Sequence, residues 1–218
     1  MKKIVLFLAL GLRLFGFEAG KEYVVLQDPI PNLSNSVIEI FSYDCPFCYK
    51  FDEQVIKKMV NDAKSNFDFM QLHIPQKAEF GEIATELFAS FMALDILNNT
   101  SPIKDNSSIF QNAKSALFNA YHNEKVNFGS SQNSEDNEKF INFLLTSANV
   151  SKTELDNAKK LDDFINFHQL FKDDRIYEIA KIQGIPAFVV NGKYLIKTNS
   201  VKSYENFLEL INELLKMN

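Results

Sequence analysis

The stretch VIEIFSYDCPFCYKF, residues 37–51, decides the fold. Val37 to Ser42 is apolar and largely β-branched, which reads as a strand. Two helix-start signals follow at once. Cys45 occupies an N-cap position, and Pro46 sits at the first helical position, where its missing N–H costs nothing. From Phe47 onward Phe51, Val55 and Met59, with Ile56 and Val60, recur at helical spacing to about Asp62. Both cysteines of the chain, Cys45 and Cys48, therefore fall on one strand-to-helix junction.

Downstream, FDFMQLHI (67–74) alternates apolar and polar residues and reads as a second strand. From about Gln76 to Ile182 the pattern is helical. FGEIATELFASFMALDILN, SSIFQNAKSALFNAYHN and EDNEKFINFLLTSA each carry an apolar stripe. Ser151 and Glu154 have capping-box spacing, and residues 162–182 read as one long helix ending before Gly184. Strands then return: Ala187 to Val190, a hairpin signal at Asn191-Gly192, and Tyr194 to Ile196, before an amphipathic helix over Ser203 to Lys216. A βαβ unit and a later ββα unit, separated by helices, make an α/β, thioredoxin-like fold with an inserted all-helical domain. The expected division is 20–75 with 183–218 for the first and 76–182 for the second.

The chain has 218 residues, 46% of them hydrophobic, enough to bury a core without a covalent staple. It has 21 Phe, 7 Tyr and no Trp, so Phe is the expected core filler. The start, MKKIVLFLALGLRLFGFEAG, places Lys2 and Lys3 before a short apolar run, the layout of an export signal over residues 1–19, with cleavage after Gly16 or Ala19. Export implies a compartment that permits disulfides. Removing Lys2, Lys3 and Arg13 takes the formal charge from −5 to −8. An acidic chain without a basic cluster argues against nucleic acid or anionic lipid as partner.

The chemistry lies in C-P-F-C. The first turn of a helix offers unpaired N–H groups and the positive end of the helix dipole. A Cys45 thiolate would accept bonds from N–H groups near Phe47 and Cys48, lowering its pKa and stabilising the dithiol, which makes the disulfide more oxidising. Cys48, one turn deeper, would be shielded and act as the resolving thiol. Other uses of the pair fit less well. A structural disulfide closing so short a loop restrains the unfolded chain little. Zinc would need ligands beyond one Cys pair and the scattered His73, His122 and His168. Haem attachment needs His at residue 49, which is Tyr. No metal or diffusible cofactor is expected; the redox group is the Cys45–Cys48 disulfide itself. Far downstream, GIPAF places Pro186 at a strand start, where a proline is tolerated. A cis bond there would turn the Ile185 backbone toward an extended peptide; a trans proline is the commoner alternative.

Through GKEYVVL (20–26), VIEIFSYDCPFCYKF and GIPAFVVNGKY, the chain resembles the DsbA family of periplasmic thiol–disulfide oxidoreductases. The helical block between is matched by pattern only. The resemblance implies Cys45 as the attacked sulfur, Cys48 as resolving, and Pro186 as a cis proline facing the disulfide. It implies a buried carboxylate at Glu39 that shuttles the Cys48 proton. It also implies reduced exported proteins as substrates, a DsbB-like, quinone-linked membrane protein as oxidant, and a monomer. Three departures stand out. Phe47 replaces the histidine of well-studied members, as in a DsbL-like branch. Asp44 adjoins Cys45. Gln71 stands where a strand lysine often pairs with the carboxylate, leaving Glu39 a neutral partner. A reductase or isomerase is the alternative direction of flow, although too few residues precede Val37 for the dimerisation domain isomerases usually carry. A holdase with a Phe-rich groove is an alternative of another class. A glutathione-dependent enzyme on the same fold is disfavoured by Cys48.

Overall fold

The computed structural model describes residues 16–60 and 67–217. The expected export signal lies almost wholly outside them. Five strands form one sheet: β1 Tyr23–Val25, β2 Ser36–Phe41, β3 Asp68–His73, β4 Ala187–Val190 and β5 Tyr194–Ile196. Their spatial order is β1-β5-β4-β2-β3. The β2–β3 pair is parallel and the other three pairs are antiparallel. All six residues of β2 are buried, as the VIEIF run requires of a central strand. Glu39 thereby sits mid-sheet, opposite Gln71 on β3 and Phe188 on β4. The β4–β5 turn carries positive φ at both Asn191 and Gly192, the left-handed pair that a tight hairpin favours.

Helix α1, Pro46–Phe51, follows β2 and opens into a π-helical turn over Asp52–Ile56 before the chain resumes α-helix to Val60. The periodicity predicts an unbroken α-helix here. The wider turn holds Asp52 buried while Ile56, Met59 and Val60 still reach the core.

Between β3 and β4 come α2 Gly81–Leu97, α3 Ile109–His122, α4 Ser134–Ala148, α5 Lys152–Ala158, α6 Asp162–Phe171 and α7 Asp174–Gln183. α2 is apolar nearly all round and packs against α3, α4, α5 and α6, as a central helix should. The capping box at Ser151 and Glu154 forms with both bonds in place. The single long helix expected over 162–182 is instead α6 and α7. Asp173 breaks it by taking extended backbone and accepting a bond from Arg175 N–H at 2.9 Å, an N-cap in mid-pattern. β1 is too short to read from the sequence: three residues carry too little alternation to announce a strand. Helix α8, Tyr204–Leu215, closes the chain against β4.

Aromatic rings join sheet to helices. Phe41 lies 6.2 Å from Phe88 on α2 and 5.9 Å from Phe118 on α3, ring to ring. Tyr43 stacks on His73 at 5.7 Å and meets Phe140 of α4 at 5.8 Å. Phe41, Phe88, Phe118 and Phe140 thus fill the contact between sheet and helices.

Candidate active site

Cys45 is the N-cap of α1. Its Sγ accepts a hydrogen bond from the Cys48 N–H at 3.2 Å, and Pro46 takes the first helical position. Both cysteines are free thiols. Their environments are opposite. The Cys45 thiol is brought down from 9.0 to about 7, chiefly by the Cys48 thiol beside it, with the Cys48 and Phe47 N–H groups adding to the effect; partial burial and the Asp44 carboxylate oppose it. Cys48 has no exposed surface, and burial pushes its thiol well above the ordinary range, with the Cys45 charge adding to the rise. Phe47, between them, is 65% exposed beside the half-exposed Cys45.

The second segment arrives from the far end of the sheet. The Ile185-Pro186 bond is cis, and the Ile185 carbonyl oxygen lies 3.5 Å from Cys45 Sγ. Pro186 is buried and Ile185 is half-exposed, so the Ile185 backbone borders the thiol at the surface. Gln183 Nε2 anchors this loop by donating to the Ile196 carbonyl at 2.7 Å.

Beneath the cysteines lies a buried polar chain. Glu39 is 2% exposed, and burial raises its carboxyl from 4.5 to about 7, against the pull of Lys114. Gln71 Nε2 donates to Glu39 Oε2 at 2.6 Å, the side-chain partner that the strand register dictates. Gln71 Oε1 in turn accepts from Lys114 Nζ at 3.0 Å and from Gln111 Nε2 at 2.8 Å. Lys114 Nζ also donates to Asp52 Oδ1 at 2.6 Å. A cation therefore does reach Glu39, one amide away.

Asp44 accepts from Ser42 Oγ at 2.7 Å, and burial lifts its carboxyl. Its charge works against the Cys45 thiolate, as its position in sequence suggests. His122 stacks on Tyr49 at 5.0 Å with Nε2 2.8 Å from the Tyr43 carbonyl. Burial pulls its pKa down. His73 is buried beside Thr85 and held neutral, its pKa lowered by burial to about 3. His168 stacks on Phe164 of α6. His73 and His122 thus both brace Tyr43, and His168 lies apart from them on α6.

No family model matches the sequence. The chain is 39% identical over 215 residues to the thiol:disulfide interchange protein DsbL of Lelliottia amnigena, covering 98% of this chain and 94% of that one. The chain belongs to the DsbA family, in its DsbL-like form. It is 26% identical over 229 residues to the thiol:disulfide interchange protein DsbA of Dickeya dadantii, covering 99% of this chain and 97% of that one. The crystal structure of DsbL from Salmonella enterica serovar Typhimurium superposes with a TM-score of 0.84 at 37% identity, over 93% of this chain and 99% of that one.

As a DsbA-family protein the chain is a disulfide oxidoreductase with a thioredoxin-like sheet and a helical insertion. The expected residues Glu39, Cys45, Pro46, Phe47, Cys48, Ile185 and Pro186 lie around one site. Sequence reasoning missed Asp52, Gln111 and Lys114. A signal for Lys114 was present: it lies one turn from Phe110 and Leu117, inside the apolar stripe of α3, where an unpaired charge does not belong.

Proposed function

We propose that this DsbA-family protein is a periplasmic dithiol oxidase, exported by its N-terminal segment and acting as a monomer. A substrate thiolate attacks Cys45 Sγ, the Cys45–Cys48 bond breaks, and a mixed disulfide forms. Cys48 leaves as a thiolate and takes a proton from the Glu39 carboxyl. A second substrate thiolate attacks the substrate sulfur of the mixed disulfide, releasing Cys45 as a thiolate. Two electrons pass from the substrate dithiol to the cysteine pair, and a DsbB-like, quinone-linked membrane protein takes them back. No metal or diffusible cofactor enters the cycle.

The observation that carries this reading is the Cys48 N–H to Cys45 Sγ bond at the start of α1. Together with the Cys48 thiol, the larger influence, it stabilises Cys45 as a thiolate, and a thiolate with a pKa near 7 is a good leaving group at neutral pH. Ile185 and Pro186 supply an extended backbone edge for the substrate, and Phe47 an apolar contact, which suits reduced exported chains of varied sequence. The sheet segments 20–75 and 183–218 serve as the redox domain and 76–182 as its helical cover. Among the described residues no helix is long and apolar enough to cross a membrane. The test is oxidation of a dithiol peptide by the Cys45→Ser variant. Loss of turnover is expected, and full activity would sink the reading.

A further inference from the structure

Lys114 is an ammonium group 1% exposed, carried on α3 of the helical block rather than on the sheet. A buried cation needs partners. It has two: Asp52 Oδ1, from the π-helical turn, and Gln71 Oε1, from β3. Lysine has only donors, so the oxygen of Gln71 must face it. Gln111 Nε2, a second donor on that oxygen, locks the same orientation. The Gln71 amide nitrogen is then obliged to face Glu39, where it donates at 2.6 Å. The run from ammonium through amide to carboxylate is a polarised chain in a buried setting, where such bonds reinforce one another.

The groups facing Glu39 are few. Lys114 of α3 favours its charged form, while Asp52 of the π turn and Cys45 at the start of α1 oppose it, and the Cys48 thiolate and the Glu39 carboxylate repel each other. Across the other strand pair stands only Phe188.

We propose that Lys114 is the positioning residue for Glu39: acting through the Gln71 amide, it stabilises the Glu39 carboxylate after the carboxyl has given its proton to Cys48. The proton balance is simple. Cys48 thiolate plus Glu39 carboxylic acid becomes Cys48 thiol plus Glu39 carboxylate, and reoxidation runs it backward. The seating of the helical block on the sheet is thereby wired into proton transfer at the cysteines. The inference rests on the oxidase reading for its direction of proton flow.

The test is the titration midpoint of Glu39 in the full chain, followed through its side-chain carboxyl carbon by NMR. In Lys114→Gln the midpoint is expected to rise by about one unit, a tenfold gain in proton affinity. Lys114→Gln with Asp52→Asn leaves no buried carboxylate unpaired on that side, and secures the measurement if the single variant does not fold; the shift is in the same direction and smaller. Lys114→Gln with Gln71→Lys moves the ammonium onto β3 and is expected to bring the midpoint back to the parent value or below. An unchanged midpoint in the folded variants overturns the proposal, as does a rise that the relocated lysine fails to reverse. The titration needs no turnover, so the Cys45→Ser assay judges the oxidase reading separately.

Discussion

The Sγ of Cys45 and the backbone nitrogen of Cys48 lie 3.2 Å apart, one at the helix cap and the other a turn inside it. The cap draws Cys45 toward the thiolate, while burial keeps Cys48 a thiol. Alkylation of the reduced protein is expected to modify Cys45 with a pH midpoint of about 7 and to spare buried Cys48. Because the folded value is depressed, the dithiol form gains stability as pH rises through about 7 toward 9, and loses that gain as pH falls back through 7. Mass-resolved alkylation across pH checks both residues. A Cys45 midpoint near 9 would show that the cap does not hold the thiolate.

Glu39 shifts the opposite way. The folded chain keeps a proton that the unfolded chain releases between 4.5 and about 7, so stability falls as pH rises through that window. Glu39→Gln removes this loss. It is expected to be more stable than the parent by about 1–3 kcal/mol at pH 8 and nearly equal at pH 4. Urea denaturation at the two pH values measures the difference. Equal stability at both would mean that Glu39 is not held protonated.

Asp44 opposes the thiolate, and Asp44→Asn keeps an oxygen for the Ser42 hydroxyl while dropping the charge. The Cys45 midpoint is expected to fall by less than about one unit. Thiolate ultraviolet absorbance against pH reads it, and a rise instead of a fall would refute the assignment.

Equilibration in glutathione redox buffers gives the potential of the pair. A value more oxidising than the glutathione pool is expected, because the stabilised thiolate favours the dithiol form. A value near that of thioredoxin would turn the direction of flow toward a reductase. Phe47→His should make the disulfide more oxidising still, with little effect on stability, since residue 47 is exposed.

Phe41 bridges the sheet to α2 and α3 through Phe88 and Phe118. Phe41→Ala is expected to cost about 3–5 kcal/mol in chemical denaturation. A loss of under about 1 kcal/mol would mean the seam repacks without it.

Much of this was readable from the chain alone, and the readable parts share a cause. The Cys45-Pro46 helix start, the Asn191-Gly192 turn and the Ser151–Glu154 capping box are each settled by backbone groups a few residues apart. The VIEIF run and the Phe-rich stripes announce burial because apolar side chains at strand or helix period leave water together. Tertiary structure decided the rest. It brought Ile185 to Cys45 across 140 positions and set Lys114 on Gln71 across 43. It also buried Asp52 in a π turn. Local rules see spacing, and spacing cannot show which faces will meet. A lysine in an apolar stripe reads as a misfit until the carboxylate and amide that accept its protons are folded against it.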